Sequence, residues 1–237
     1  MPKIKLPGGG SIDHSDPLIA KLVQEALQAR GYYHGPIDGK FGKNSKEALE
    51  LAIEANKTPE PANRGLFKKK AKGKTIRELM VTIGLDENGV REKPRNSNSG
   101  PRVLEYQRAT WLEGTGWAWC AAFVCWVVKE ARERKGGEFD WKRPQTAGAW
   151  DFEKWATSRS GGKKAGVQKL DPKRTKIEPG DILVFTFSHI GIAVGNEKGG
   201  EVATIEGNTD AAGSREGGGV YRKTRDKSLV RSVLRIT

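Results

Sequence analysis

Apolar positions along the chain follow three successive patterns. In the first, Leu18, Ile19, Leu22, Val23, Ala26 and Leu27 recur at three- and four-residue spacing, which predicts a helix from Pro17 that ends at Gly31. A turn-rich segment, YYHGPIDGKFG, separates it from a second periodic stretch through Ala48, Leu49, Leu51, Ala52 and Ile53. These elements form a small module at 17–57, preceded by a polar, glycine-containing tail at 1–16. Residues 58–73 are rich in proline, glycine and lysine, the composition of a linker.

The second pattern begins at Thr75, an N-cap candidate with Glu78 three residues on, and predicts a helix carrying Ile76, Leu79, Met80 and Ile83. A polar loop, ENGVREKPRNSNSGP, leads to another expected helix from Val103 to Trp111. Then Ala121 to Val128 is apolar on every side before turning charged at Lys129 and stopping at Gly136-Gly137. Such a helix is buried for its first two turns and surfaces at its C-terminal end. A polar stretch, 136–179, shows no period.

From Gly180 the period changes. GDILVF, HIGIAVG and EVATIEGN are short β-branched runs divided by turn residues, and VYRKT and VRSVLRI follow, so the end of the chain reads as an antiparallel β-meander. Helices followed by strands make residues 74–237 an α+β domain.

Chemistry enters at Cys120, where a glycine-punctuated loop gives way to the apolar run. At the first turn of a helix, free backbone N–H groups and the positive end of the dipole favour a thiolate. Cys125, five residues on, points about 140° away at about 100° per residue and reads as core. The two would lie about 8–9 Å apart on a helix, beyond the reach of a disulfide. A cysteine nucleophile needs a base, and three histidines are present. His14 lies in the tail and His34 in the module's loop, whereas His189 opens a strand on which it shares a face with the small residues Gly191 and Ala193. With the following turn centred near Lys198–Gly199, His189 falls opposite Asn208, and a small shift of the turn sets it opposite Glu206. Either can hold the imidazole.

Composition narrows the setting. The charge is +13, from 42 Lys+Arg against 29 Asp+Glu, and implies attraction to a polyanion such as nucleic acid, an anionic membrane surface or a bacterial wall. A lysine cluster at Lys68, Lys69, Lys70, Lys72 and Lys74 carries no nucleic-acid motif, so no specific nucleic acid is expected. The longest apolar run, Cys120 to Val128, is too short to span a bilayer. The opening MPKIKLPGGG lacks the apolar core of a secretory signal, giving an expectation of synthesis in a cytoplasm. Two cysteines and one nearby histidine lack zinc spacing.

Two stretches also carry family resemblances. ALQARGYYHGPIDGKFGKNSKEAL resembles the small three-helix peptidoglycan-binding module found beside cell-wall hydrolases, through Gly31, Tyr32, Gly35, Pro36, Asp38, Gly39, Phe41 and Gly42. Tyr32 and Tyr33 are its candidate sugar contacts, or else pack. WCAAFVCW, GDILVF, SHIGIAVG and IEGNT, in this order, resemble the CHAP family of cysteine/histidine-dependent amidohydrolases and peptidases, with a papain-like core over roughly 74–237. The resemblance implies that Cys120 is the nucleophile, His189 the base, Glu206 the orienting acid and Asn208 an accessory polar residue. Trp117 and Trp119 would wall the cleft. The aspartate-rich calcium loop of some members is missing before Cys120, so neither metal nor other cofactor is expected. The resemblance further implies a monomeric enzyme that cuts a stem-peptide amide of bacterial peptidoglycan, either as an N-acetylmuramoyl-L-alanine amidase or as an endopeptidase. A bacteriophage endolysin released through a holin fits best. A secreted antibacterial toxin, a bacterial remodelling enzyme and a non-catalytic wall-binding protein are the alternatives.

Overall fold

The computed structural model describes residues 3–5, 11–13, 15–29, 32–33, 35–57, 73–214 and 217–237. His14, Gly31, His34 and all of the linker but Gly73 lie outside these residues. The chain divides into two compact units, 1–67 and 68–237.

In the first unit, β1 (Lys3–Lys5) pairs antiparallel with β2 (Ser11–Asp13), so the expected tail contributes a strand pair. Two helices follow, α1 (Pro17–Ala29) and α2 (Lys43–Lys57), where a three-helix module was expected; no third helix occurs among the described residues. Leu27, Tyr33, Ala48, Leu49 and Ala52 form the core. The turn between the helices is organised by the buried Gln24, whose Oε1 accepts from Gly39 N at 3.0 Å and whose Nε2 lies 3.1 Å from both Asp38 Oδ1 and Ser45 Oγ. Gly39 has φ +72°, and a Cβ there would stand 2.7 Å from the Pro17 carbonyl oxygen, so the turn requires glycine.

The second unit opens with α3 (Ile76–Asp86), capped as its sequence predicts: Glu78 N donates to Thr75 Oγ1 at 3.2 Å while Thr75 N donates to the Glu78 carboxylate at 2.7 Å. Next, α4 spans Pro101–Gln107, starting at a proline in its first turn and ending four residues before the expected boundary. The central α5 (Cys120–Lys135) is buried from Cys120 to Val128 and stops at Gly136, φ +70°. The aperiodic stretch after it holds α6 (Asp151–Thr157) and β3 (Gln168–Leu170), both too short to show a period.

Strands β4 (Ile182–Phe185), β5 (Ile190–Ala193), β6 (Glu201–Thr209), β7 (Gly219–Asp226) and β8 (Val230–Arg235) complete a sheet of order β3-β8-β4-β5-β6-β7, with every pair antiparallel. The predicted meander is thus correct only from β4 to β7. β8 returns across the domain to pair with β4, a long-range pairing that no local pattern encodes. Both faces of the sheet are covered. Ile182, Val184, Ile190, Ile192 and Ile205 join the helices in the main core, while Leu183, Phe185, Ala193, Val202 and Val233 form a second core on the other face. Covered faces explain why β4 reads as a continuous apolar run instead of an alternating one. Fully buried Asp181 ties the sheet to α3: its carboxylate takes Arg235 Nη2 at 2.7 Å and Arg77 Nη2 at 3.1 Å. Among the described residues, no helix is long and apolar enough to cross a membrane.

Candidate active site

The site forms where the first turn of α5 meets β5 and β6. Glycines let the elements close on one another. A Cβ at Gly207 of β6 would lie 2.6 Å from Phe123 Cβ and 2.8 Å from the Trp119 ring, so β6 runs directly against the start of α5. A Cβ at Gly191 of β5 would lie 2.6 Å from Glu206 Cγ. The small residue beside His189 therefore leaves room for the Glu206 side chain.

Sheet register sets the pair. β5 and β6 align Ile192 with Ile205 and Ala193 with Thr204, the register expected from the turn. It sets His189 and Glu206 on one face as diagonal neighbours, and His189 Nε2 lies 3.0 Å from Glu206 Oε2 with both side chains fully buried. Asn208 has φ +55° within an irregularity between Glu206 and Thr209, and neither atom of its amide group makes a hydrogen bond. The bulge re-aims this residue, and Glu206 is the one that holds the imidazole.

Cys120, 6% exposed, faces the same imidazole closely enough to raise its pKa. Since Nε2 is engaged by Glu206, Nδ1 is the nitrogen left for it. Nδ1 makes no hydrogen bond. Burial alone would push the His189 pKa down, but the facing Cys120 and Glu206 outweigh it and raise the value to about 9. For Glu206, burial favours the neutral acid, yet hydrogen bonds from Arg225 and His189 hold the pKa down at about 2. Phe187 stacks on the imidazole at 5.7 Å between ring centroids and Phe185 at 6.0 Å, which fixes the ring plane.

Arg225 of β7 was not legible in the sequence. Its Nε donates to Glu206 Oε1 at 2.9 Å and its Nη2 to Oε2 at 2.6 Å, while Thr204 Oγ1 donates to Oε1 at 2.6 Å. The only signal was that alternate residues of β7 share a face, which holds for every strand.

The four aromatic candidates separate. Trp119 is fully buried, donates Nε1–H to Glu92 at 2.8 Å and stacks on Tyr106, so it packs the domain and presents no cleft wall. Trp117 is half-buried, its indole N–H held by the Gly114 carbonyl at 3.2 Å. In the small module Tyr33 is core, its hydroxyl donating to Pro36 O at 3.0 Å, so it presents no ring to a sugar; Tyr32 is half-buried. Cys125 lies wholly within the core, its thiol directed at the Thr146 carbonyl at 3.4 Å, and burial pushes its pKa up to about 12. Both cysteines are free. Among the described residues, no three His, Cys, Asp or Glu side chains are grouped to hold a metal ion.

Comparison with protein-family models finds a CHAP domain over residues 112–208 and a putative peptidoglycan binding domain over residues 20–51. Neither the curated proteins nor the solved structures include a match to the chain. Residues 112–208 thus belong to the CHAP family, and the chain joins that domain to an N-terminal peptidoglycan-binding domain, the make-up of a CHAP cell-wall hydrolase.

Proposed function

We propose that the chain hydrolyses an amide bond of the peptidoglycan stem peptide by a Cys120–His189–Glu206 thiol mechanism. The observation that carries this reading is the buried His189–Glu206 pair at the first turn of α5, with Cys120 facing the imidazole. His189 Nδ1 takes the Cys120 proton, and the sulfur attacks the amide carbonyl. The oxyanion is met by the backbone N–H of Cys120 at the helix start. His189 then gives its proton to the leaving nitrogen as the C–N bond breaks, leaving an acyl thioester. Water, deprotonated by His189, attacks the thioester, and the thiol returns with release of a carboxylate. Glu206 holds the imidazole in the orientation and tautomer that this shuttle needs.

Asn208, buried and with both amide atoms unengaged, is an accessory residue of the same site. Residues 17–57 anchor the enzyme on the polymer and raise its effective concentration there. A monomeric, endolysin-like role accounts for both domains and for the +13 charge. A zymogram tests the reading: wild type should clear a band of peptidoglycan, and Cys120→Ala and His189→Ala should clear none while still folding and binding sacculi. Clearing by Cys120→Ala would overturn it. Mass spectrometry of digested sacculi distinguishes the amidase, which frees the amino group of L-alanine, from an endopeptidase.

A further inference from the structure

Among the described residues Glu206 is the only carboxylate on His189, and one hydrogen bond from an imidazole would not be enough to bury it. A carboxylate with no exposure needs compensation for its charge and for the lone pairs of both oxygens. Two of the four hydrogen bonds it accepts come from one guanidinium, Arg225, as a bidentate fork at 2.9 and 2.6 Å. That guanidinium is itself fixed. Its third nitrogen, Nη1, donates to the Gly213 carbonyl at 3.1 Å, and its plane sits near the rings of Phe187 (5.3 Å) and Phe185 (5.6 Å), the two rings stacked on His189. Arg225 lies beyond the residues matched by the CHAP family model.

We propose that Arg225 is a positioning residue whose guanidinium fork keeps Glu206 ionised and aligned through the turnover, and so fixes the pH range over which His189 carries protons. This rests on the thiol mechanism above. During turnover His189 gives up its proton twice, to the leaving nitrogen and when the thiol is restored. At those moments an unaided Glu206 would be a buried, uncompensated charge, and the proton would be drawn to the carboxylate instead of the substrate. With Arg225 in place Glu206 stays neutralised whichever form the imidazole takes. The guanidinium also shares the carboxylate's charge, which limits how tightly Glu206 holds the imidazolium proton. Thr204, donating to Oε1 at 2.6 Å, adds a hydrogen bond without a charge.

Among the described residues, the charged and titratable groups around the pair come from four places. His189 faces it from the residue just before β5, and Cys120 of α5 faces His189. From β7, Lys223 is two residues from Arg225, but its ammonium is held by the Asp210 carbonyl at 3.2 Å. Asp210 itself, after β6, points its carboxylate at the Gly213 and Ser214 amides at 2.7 and 2.9 Å. None of these replaces the fork.

The test uses full-length Arg225→Met and Arg225→Lys. Two pH profiles are measured for each: hydrolysis of soluble muropeptides, and the rate at which iodoacetamide inactivates the protein, which reports the Cys120–His189 pair without any substrate. Arg225→Met should displace both limbs of the profiles to higher pH, the acid limb by about 1–3 units because the carboxylate has lost its cation. The alkaline limb follows because Glu206 no longer shares its charge. Turnover at the optimum should fall about a hundredfold through misplacement of the imidazole. Arg225→Lys keeps a charge but not the fork, and should move the limbs in the same direction by less. A purely structural Arg225 would lower the profiles and leave their limbs in place, which overturns the proposal. If Arg225→Met does not fold, Arg225→Lys decides, and limbs coinciding with wild type sink the idea. Absence of muropeptide hydrolysis by wild type would count against the hydrolase reading, while the iodoacetamide profiles would still judge the role of Arg225.

Discussion

His189 and Glu206 are displaced from their ordinary pKa values in opposite directions, and each displacement carries a stability. The folded-state pKa of His189, about 9, lies above the ordinary imidazole value of 6.5, so its contribution is complete below about pH 6.5 and is lost as pH rises through about 9. Glu206 falls from 4.5 to about 2, so its contribution is present above about pH 4.5 and is lost as pH falls through about 2. The thermal midpoint should therefore decline between pH 6.5 and 9, and His189→Gln should show a shallower decline over that interval. An identical slope in the variant would mean that other groups set it. The two thiols make a second prediction at this scale. Cys125 is buried with its pKa pushed up to about 12, so iodoacetamide at pH 7 should label Cys120 first, and Cys125→Ala should keep most of the activity. Peptide mapping and turnover check both halves. Cys120 was legible because it stands where a glycine-rich loop meets an apolar helix, and Cys125 because 3.6 residues per turn direct it elsewhere. Glu206 and Asn208 were both legible from the strand register but not distinguishable by it, because a bulge after Glu206 breaks the strict alternation of faces.

At the scale of elements, close approach of strands decides whether the constellation can form. Gly191 has no side chain where Glu206 Cγ would be met at 2.6 Å, and Glu206 cannot yield because four hydrogen bonds hold its carboxylate. Gly191→Ala should therefore lower activity by more than tenfold, with overpacking costing about 1–3 kcal/mol of stability. Gly195→Ala is the matched control, since a Cβ there meets only Ala203 Cβ at an ordinary 3.5 Å. Turnover and thermal midpoints of the pair measure the difference, and equal effects would remove Gly191 from the argument. The strands from β4 to β7 were legible because turn residues punctuate them, as was α5 because charge and Gly136 end it. The position of β8 beside β4 was not, since pairing distant segments depends on side chains of the second core and not on either segment's own pattern. Trp119 was misread for a related reason. An aromatic residue before a nucleophile suits a cleft wall or a core equally well, and only the Glu92 carboxylate, 27 residues earlier, shows which.

For the whole molecule, the division into two compact units lets binding and chemistry be separated by experiment. Every residue placed in the candidate active site, from Cys120 to Arg225, lies in the second unit, and the core of the first unit contains none of them. A cut after Gly73 removes only 68–73 from the second unit and leaves its first helix whole. It keeps the Thr75–Glu78 cap of α3 and the Lys74 carbonyl, to which Lys135 Nζ donates at 2.8 Å. Residues 74–237 alone should thus fold and turn over small soluble muropeptides at close to the full-length rate. On sacculi they should bind and act more weakly, because tethering raises effective concentration only when the substrate is a polymer. Added salt should weaken wall binding of both forms, since screening limits the reach of exposed charge to about 8 Å at physiological ionic strength. Binding isotherms on sacculi and turnover on both substrates, across a salt series, separate the two contributions. Equal impairment of the truncated chain on polymer and on soluble fragments would show that the small module supports the active site itself, and the anchoring role would then be wrong.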